Sequence, residues 1–252
     1  MDRVCGSGEI DPRLSVIEKR LEHVNRVVGI ISGKGGVGKT LVSTTLALVA
    51  KRRGFSAGLL DLDFHGPTCH RVLDAKVDVF PEEEYGVVAP DVHGIKFMSL
   101  VYYAGDEPIP LRGKDVTNVI IELLTITRWG NLDFLFIDFP PGMGEELLDM
   151  MRIIRRIEFI VVTSSSSLSY ETVKRLVKLL IEVKANVIGV VENMVFKRPL
   201  FRDEMEEMGI RYLGNIKFYP ELEQKIGDVS ALMKSNFAKE VMAIFNRVVE
   251  SV

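Results

Sequence analysis

The stretch Gly33-Lys34-Gly35-Gly36-Val37-Gly38-Lys39-Thr40 decides how this chain is read. It fits the phosphate-loop pattern G-x-x-x-x-G-K-[ST] and carries a second lysine, Lys34, at the first variable position. The run before it, Val27-Val28-Gly29-Ile30-Ile31, has the character of a buried strand, and Thr40 to Ala50 that of a helix. Glycines let successive backbone N–H groups converge on phosphate oxygens, and the helix N-terminus adds a favourable partial charge. Lys39 is expected to face the β- and γ-phosphates, and the Thr40 hydroxyl to ligate Mg²⁺. The segment is therefore predicted to bind a nucleoside triphosphate.

Working outward, the same alternation recurs. Ala57–Asp63, Asp133–Asp138, Glu158–Thr163, Asn186–Val191 and Tyr212–Ile216 read as buried strands. Helical patterns fall at Val116–Thr127, Leu168–Val183, Leu200–Met208 and Ser235–Glu250. Residues 77–110 read as irregular, with a hairpin around Gly94–Leu100. Strands alternating with helices predict an α/β three-layer fold, a mostly parallel sheet covered on both faces. Residues 1–24 are expected to be a flexible N-terminus plus a short amphipathic helix, Pro12–Val24, with Leu14, Ile17 and Leu21 on one face. Residues 25–252 are expected to form the ATPase domain.

Composition narrows the function. The 252 residues carry a net charge of −3 with no strongly basic stretch, so no nucleic-acid footprint is present. No run of about 18 apolar residues predicts a membrane span. Two cysteines, Cys5 and Cys69, make no disulfide framework, and Cys5 is assigned no role. With no signal-peptide core, the expected location is cytoplasmic. The last helix carries an apolar stripe, Phe237, Val241, Ile244, Phe245 and Val248. Its few basic residues favour packing on the sheet over lying on a membrane.

In a parallel α/β sheet, ligands sit beyond the carboxyl ends of the strands. Two further strand ends here are acidic. Asp138 is expected to hold Mg²⁺ through water, Asp63 to position the attacking water, and Asp61 to play a structural part. Helix capping is the alternative for these carboxylates. Lys34 is expected to reach across a two-fold axis to a partner's phosphates. His65, Cys69 and His70 form H-x₃-C-H, a set suited to zinc or nickel. The alternative is that the two histidines pack or hydrogen-bond locally while Cys69 is buried.

G-K-G-G-V-G-K-T, D-L-D-F-H-G-P and I-D-F-P-P-G-M-G together resemble the Mrp/MinD-type ATPases, and the chain is most similar to the Mrp branch. Leu111-Arg-Gly, Thr127–Asp138 and Gly189-Val-Val-Glu-Asn-Met194 look like that branch's signatures. The resemblance implies an ATP-dependent homodimer with ATP or ADP and Mg²⁺ at its interface. It implies that Lys34 is the signature lysine, that Asp63 and Asp138 are the switch aspartates, that Asn193 reads the adenine, and that the Pro220 segment closes over the base. Iron–sulfur carriers of this branch have a C-x-x-C shortly after E-N-M; here Glu192-Asn-Met-Val-Phe-Lys-Arg-Pro-Leu200 has none. Ile10–Leu14, Asp61–Gly66, Val92–Met98 and Pro110–Lys114 resemble the archaeal Mrp/MinD-type HypB proteins. That narrower resemblance implies nickel insertion into nickel–iron hydrogenase with a HypA-type metallochaperone as partner. Iron–sulfur cluster carriage is the alternative, and a positioning ATPase is third.

Overall fold

The structure is a computed structural model that describes residues 11–64, 66–105, 114–142 and 145–250. Cys5, His65, the Leu111-Arg-Gly segment and Met143-Gly144 lie outside the described residues.

In chain order, α1 is Arg13–Arg20, β1 Val24–Ile31, α2 Lys39–Arg52, β2 Ala57–Asp61, α3 Cys69–Leu73, β3 Val87–Val88 and β4 Asp91–Val92. Then come β5 Ile95–Ser99, α4 Val101–Ala104, α5 Lys114–Ile126, β6 Thr127–Arg128, β7 Leu132–Asp138, α6 Glu145–Ile153 and β8 Ile157–Ser164. The chain continues with α7 Ser167–Glu182, β9 Asn186–Val195, α8 Arg202–Glu207 and β10 Tyr212–Lys217. A 3-10 helix, Pro220–Lys225, leads to α9 Val229–Lys234 and α10 Asn236–Val249.

Among the described residues the main sheet has eight strands in the order β10-β9-β8-β1-β7-β2-β5-β4. Every neighbouring pair is parallel except β4–β5. The expected mostly parallel sheet is thus present. Its central strands are apolar almost end to end because helices cover both faces; residues 27–31 and 134–138 are buried throughout. The one antiparallel strand enters through a two-residue loop, His93-Gly94, with φ of 53° and 78°. Both values are positive, as the tightest right-twisting hairpin turn requires.

Several boundaries differ from the sequence reading. The first helix stops at Arg20, and residues 21–23 turn directly into β1. The second strand ends at Asp61 rather than Asp63. The stretch read as irregular holds the expected hairpin as β4 and β5, and also β3 and α4; β3 and β5 find partners distant in sequence, β6 and β2. Helix α6 had no reading of its own, although its apolar residues repeat at helical spacing.

The first helix is part of the body of the protein: Ile17 is fully buried, Leu21 nearly so, and both belong to the core. The stripe on α10 packs inward as expected, and Phe237, Val241, Ile244, Phe245 and Val248 are all buried. Phe245 meets Phe55 and Phe134 edge-on, with ring centroids 5.6 and 5.3 Å away. That stripe is therefore unavailable to a membrane. No helix among the described residues is long and apolar enough to cross one.

Candidate nucleotide-binding site

The sheet register assembles the site. Parallel pairing sets Ile30 of β1 beside Asp138 of β7, and Asp138 beside Asp61 of β2. Three strands therefore end level at the mouth of the phosphate loop. The loop is pinned to its neighbours by backbone bonds, Phe139 N–H to the Ile30 carbonyl at 3.2 Å and Gly142 N–H to that of Ser32 at 2.9 Å.

Within the loop, Gly36 and Gly38 have φ of 74° and 77°, a left-handed region that a side chain disfavours. A Cβ on Gly38 would also lie 2.4 Å from Asn193 Nδ2. Gly35 and Gly36 face solvent, leaving the backbone open to a phosphate. Helix α2 begins at Lys39, so its first N–H groups point at the same place.

Lys39 Nζ donates to Asp138 Oδ1 at 2.7 Å, and Thr40 Oγ1 donates to Asp138 Oδ2 at 2.7 Å. Lys39 is 6% exposed and Asp138 is fully buried. These groups fit Mg²⁺·nucleotide. A hydroxyl and a carboxylate are hard oxygen ligands, and Lys39 is the cation a polyphosphate needs.

Asp61 sits behind this pair, 1% exposed. Its carboxylate accepts from Asp63 N–H at 3.0 Å and Cys69 N–H at 3.2 Å. It thereby clamps both ends of the segment that follows β2, which is the structural part expected of it. Burial, and next the charge of Asp138, push its pKa up to about 7, with Lys39 pulling in the opposite direction. Asp63 is partly exposed and accepts from Gly66 N–H at 3.2 Å.

Of the H-x₃-C-H set, His65 lies outside the described residues, and among the described residues two carboxylates are what gather around Cys69. Cys69 is fully buried, its Sγ 3.7 Å from Asp138 Oδ2. Potential ligand atoms of Asp61, Cys69 and Asp138 lie within 4.8 Å of one another, and His70 is not in that group. Adjacent residues on α3 project about 100° apart, so Cys69 and His70 do not converge. Burial, then Asp61 and Asp138, push the thiol upward, so Cys69 stays protonated rather than offering a ready thiolate.

The E-N-M segment ends β9 beside the loop. Asn193 is 3% exposed and its Nδ2 donates to the Val37 carbonyl at 2.8 Å, so it braces the phosphate loop from beneath. Pro220 opens the 3-10 helix and is exposed. Lys34 is half-buried, and its ammonium has no hydrogen-bond or ion-pair partner among the described residues.

Sequence reasoning assigned nothing to Glu192, yet this fully buried carboxylate accepts from Leu200 N–H at 2.8 Å, Phe201 N–H at 3.3 Å and Tyr212 Oη at 3.1 Å. It fixes the loop that occupies the place of the missing C-x-x-C. Exposed Phe196 in that loop stacks on exposed Phe218, centroids 4.5 Å apart. The signal was available: an acid directly after the apolar run 187–191, as Asp61 and Asp138 follow theirs.

A phosphate loop between a central parallel strand and a helix, with an acid at the tip of the adjacent strand, defines a P-loop nucleoside-triphosphate-binding protein. Comparison with known proteins narrows this class. A ParA-type family model, described as NUBPL iron-transfer P-loop NTPase, matches residues 23–252. The iron–sulfur cluster carrier protein of Saccharolobus solfataricus is 31% identical over 227 residues, 82% of this chain and 76% of that protein. The iron–sulfur cluster carrier protein of Methanocaldococcus jannaschii is 31% identical over 257 residues, 94% of this chain and 88% of that protein. A nucleotide-binding protein of Archaeoglobus fulgidus, solved in complex with ADP, superposes with a TM-score of 0.75 at 25% identity, covering 90% of this chain and 96% of that one. The chain belongs to the ParA-type, NUBPL-like family of P-loop NTPases. The Mrp/MinD-type expectation holds at this level, whereas the narrower HypB expectation draws no support from these relatives.

Proposed function

We propose that this chain is an ATP-hydrolysing switch, dimeric with ATP bound, that drives a step of iron–sulfur cluster assembly. The observation that carries the switch is the convergence of Lys39, Thr40 and Asp138 at the mouth of the glycine loop. Bound ATP and Mg²⁺ would supply the triphosphate and the Lewis acid. Thr40 and Asp138 would hold the metal, the latter through water, and Lys39 would turn from Asp138 to the phosphates. Asp63, partly exposed beyond the Asp61 clamp, would orient water. Lys34, with its free ammonium, would stabilise phosphate charge across the two-fold axis. Asn193 and the Pro220 segment would form the adenine side of the pocket. We take residues 25–252 as the ATPase unit, with Val24 and helix α1 joined to it through the shared core.

The cargo assignment rests on the family and on relatives named iron–sulfur cluster carriers. The cluster is cargo here, and this chain offers it few thiolates. Among the described residues the thiol is Cys69, fully buried, and Val195-Phe196-Lys197-Arg198 stands where a C-x-x-C would be. In this reading the partner holds the cluster and this chain's nucleotide cycle times its release, with exposed Phe196 and Phe218 beside the base pocket.

That same lack of a thiolate pair favours a second reading, nickel delivery to a nickel–iron hydrogenase with a HypA-type metallochaperone. One experiment separates them. A cluster-loaded scaffold protein and an apo acceptor are mixed anaerobically with this chain and ATP, ADP or no nucleotide. Faster transfer with ATP, lost in Lys39→Ala, supports iron–sulfur assembly. No stimulation of cluster transfer, together with nucleotide-dependent binding of the nickel metallochaperone, reverses the order.

A further inference from the structure

A second built site lies at the opposite end of the sheet. A cavity of about 380 Å³ opens between the end of α1, the start of β5 and the β6–β7 connection. It falls at the low end of the range for small-molecule sites, about 300–1,000 Å³. Lys19, Arg20, His23, Lys96 and Arg128 line it, against one acid, Glu84. In a chain of net charge −3, four lysine and arginine side chains against one acid run against the overall balance.

Two of these five side chains are fixed as walls. Arg20 donates to the Thr125 and Tyr85 carbonyls at 3.1 and 2.6 Å, and Arg128 pairs with the Glu84 carboxylate at 2.9 Å. The other three are uncommitted: Lys19, His23 and Lys96 have no side-chain hydrogen bond or ion pair with the described residues. Basic residues in a last helical turn are ordinary, since they offset the helix dipole. That accounts for Lys19 and Arg20 but not for Lys96, which comes from β5, or His23, which follows the helix. Trp129 also lines the cavity. It is 2% exposed, and its indole N–H has no hydrogen-bond partner among the described residues.

From these observations we infer that this cavity binds a small anion carrying two or more carboxylate or phosphate groups, separately from the nucleotide. Uncommitted lysines supply charge, His23 adds ring nitrogens that can hydrogen-bond, the fixed arginines shape the opening, and Trp129 forms part of the wall. The site lies at the amino ends of β1 and β7, and the nucleotide loop at their carboxyl ends. β1, Val24–Ile31, separates them by roughly 25 Å. The anion therefore does not compete with ATP.

Trp129 is the chain's one tryptophan, so its fluorescence reads the cavity directly. The full chain, saturated with Mg²⁺·ADP so that the phosphate loop is filled, is titrated with citrate and, separately, with pyrophosphate. We expect a saturable change in emission with at least one probe, weakened by added salt. Citrate alone identifies a carboxylate ligand, and pyrophosphate alone a phosphate ligand. Lys96→Ala and Lys19→Ala should each weaken binding about tenfold while leaving ADP affinity unchanged. Lys96→Arg should restore it. If Lys96→Ala folds poorly, Lys19→Ala, at an exposed position, decides alone. No saturable change with either probe, or equal affinity in the lysine variants, overturns the inference.

Discussion

Replacing Lys39 with methionine tests the electrostatics of the site most directly. The substitution keeps the length of the side chain but removes the ammonium 2.7 Å from Asp138 Oδ1. Removing one partner of a buried pair costs roughly 3–5 kcal/mol, because it strands the other charge. The lower end applies here, since Asp138 keeps the hydrogen bond from the Thr40 hydroxyl at 2.7 Å. Asp61 is already pushed up to about 7 by burial and by Asp138, and Lys39 opposes that shift. Without Lys39 its pKa rises further. A carboxyl whose pKa is higher folded than unfolded favours folding when protonated. That contribution is complete below the unfolded value of 3.8 and lost as pH rises through the folded value. The penalty should therefore be smaller near about pH 5 than near about pH 8, where it approaches roughly 3 kcal/mol. Urea denaturation of the nucleotide-free protein at both pH values measures it. The double variant Lys39→Met/Asp138→Asn should recover most of the loss, since it leaves one fewer buried charge unpaired. Calorimetry should show ATP affinity at least about a hundredfold lower in Lys39→Met, about 2.7 kcal/mol. A stability loss that is equal at the two pH values, or unchanged ATP affinity, refutes this account.

Four further substitutions probe other parts. Gly38→Ala, at a φ of 77° and with its Cβ 2.4 Å from Asn193 Nδ2, should cost about 1–3 kcal/mol and weaken ATP binding measured by calorimetry. Asn193→Ala removes the brace on Val37, so both ATP and GTP should bind more weakly by calorimetry, with a further loss of adenine preference if Asn193 also reads the base. Ile17→Ala, at a fully buried position on α1, should lower unfolding free energy by about 2–5 kcal/mol in urea while leaving ATP affinity unchanged. Glu192→Ala should raise hydrogen-exchange rates at Leu200 and Phe201, whose amides it holds, by freeing the loop that carries Phe196.

The nucleotide site was legible in the chain because its chemistry is local. Gly33 to Thr40 must be contiguous to wrap a phosphate, and the strand before it and the helix after it are written in adjacent residues. Asp138 was recognisable as an acid closing an apolar run, and the stripe on α10 as a helical repeat. The order of strands followed only from folding, because a parallel pair such as β1 and β7 joins segments about a hundred residues apart. That register sets Asp138 between Lys39 and Asp61, and no spacing in the sequence encodes the 2.7 Å contacts that result. Tertiary packing also decided what Cys69 belongs to. In sequence it sits beside His70, but helical geometry turns the two apart and burial delivers the thiol to two carboxylates. The same holds for α1: its amphipathic pattern announced a face, and only the structure placed Ile17 within the core. It holds most of all for the basic cavity around Trp129, whose lining residues span positions 19 to 130. Separately they read as surface charges, and it is the sheet, by drawing the amino ends of its strands together, that makes them one site.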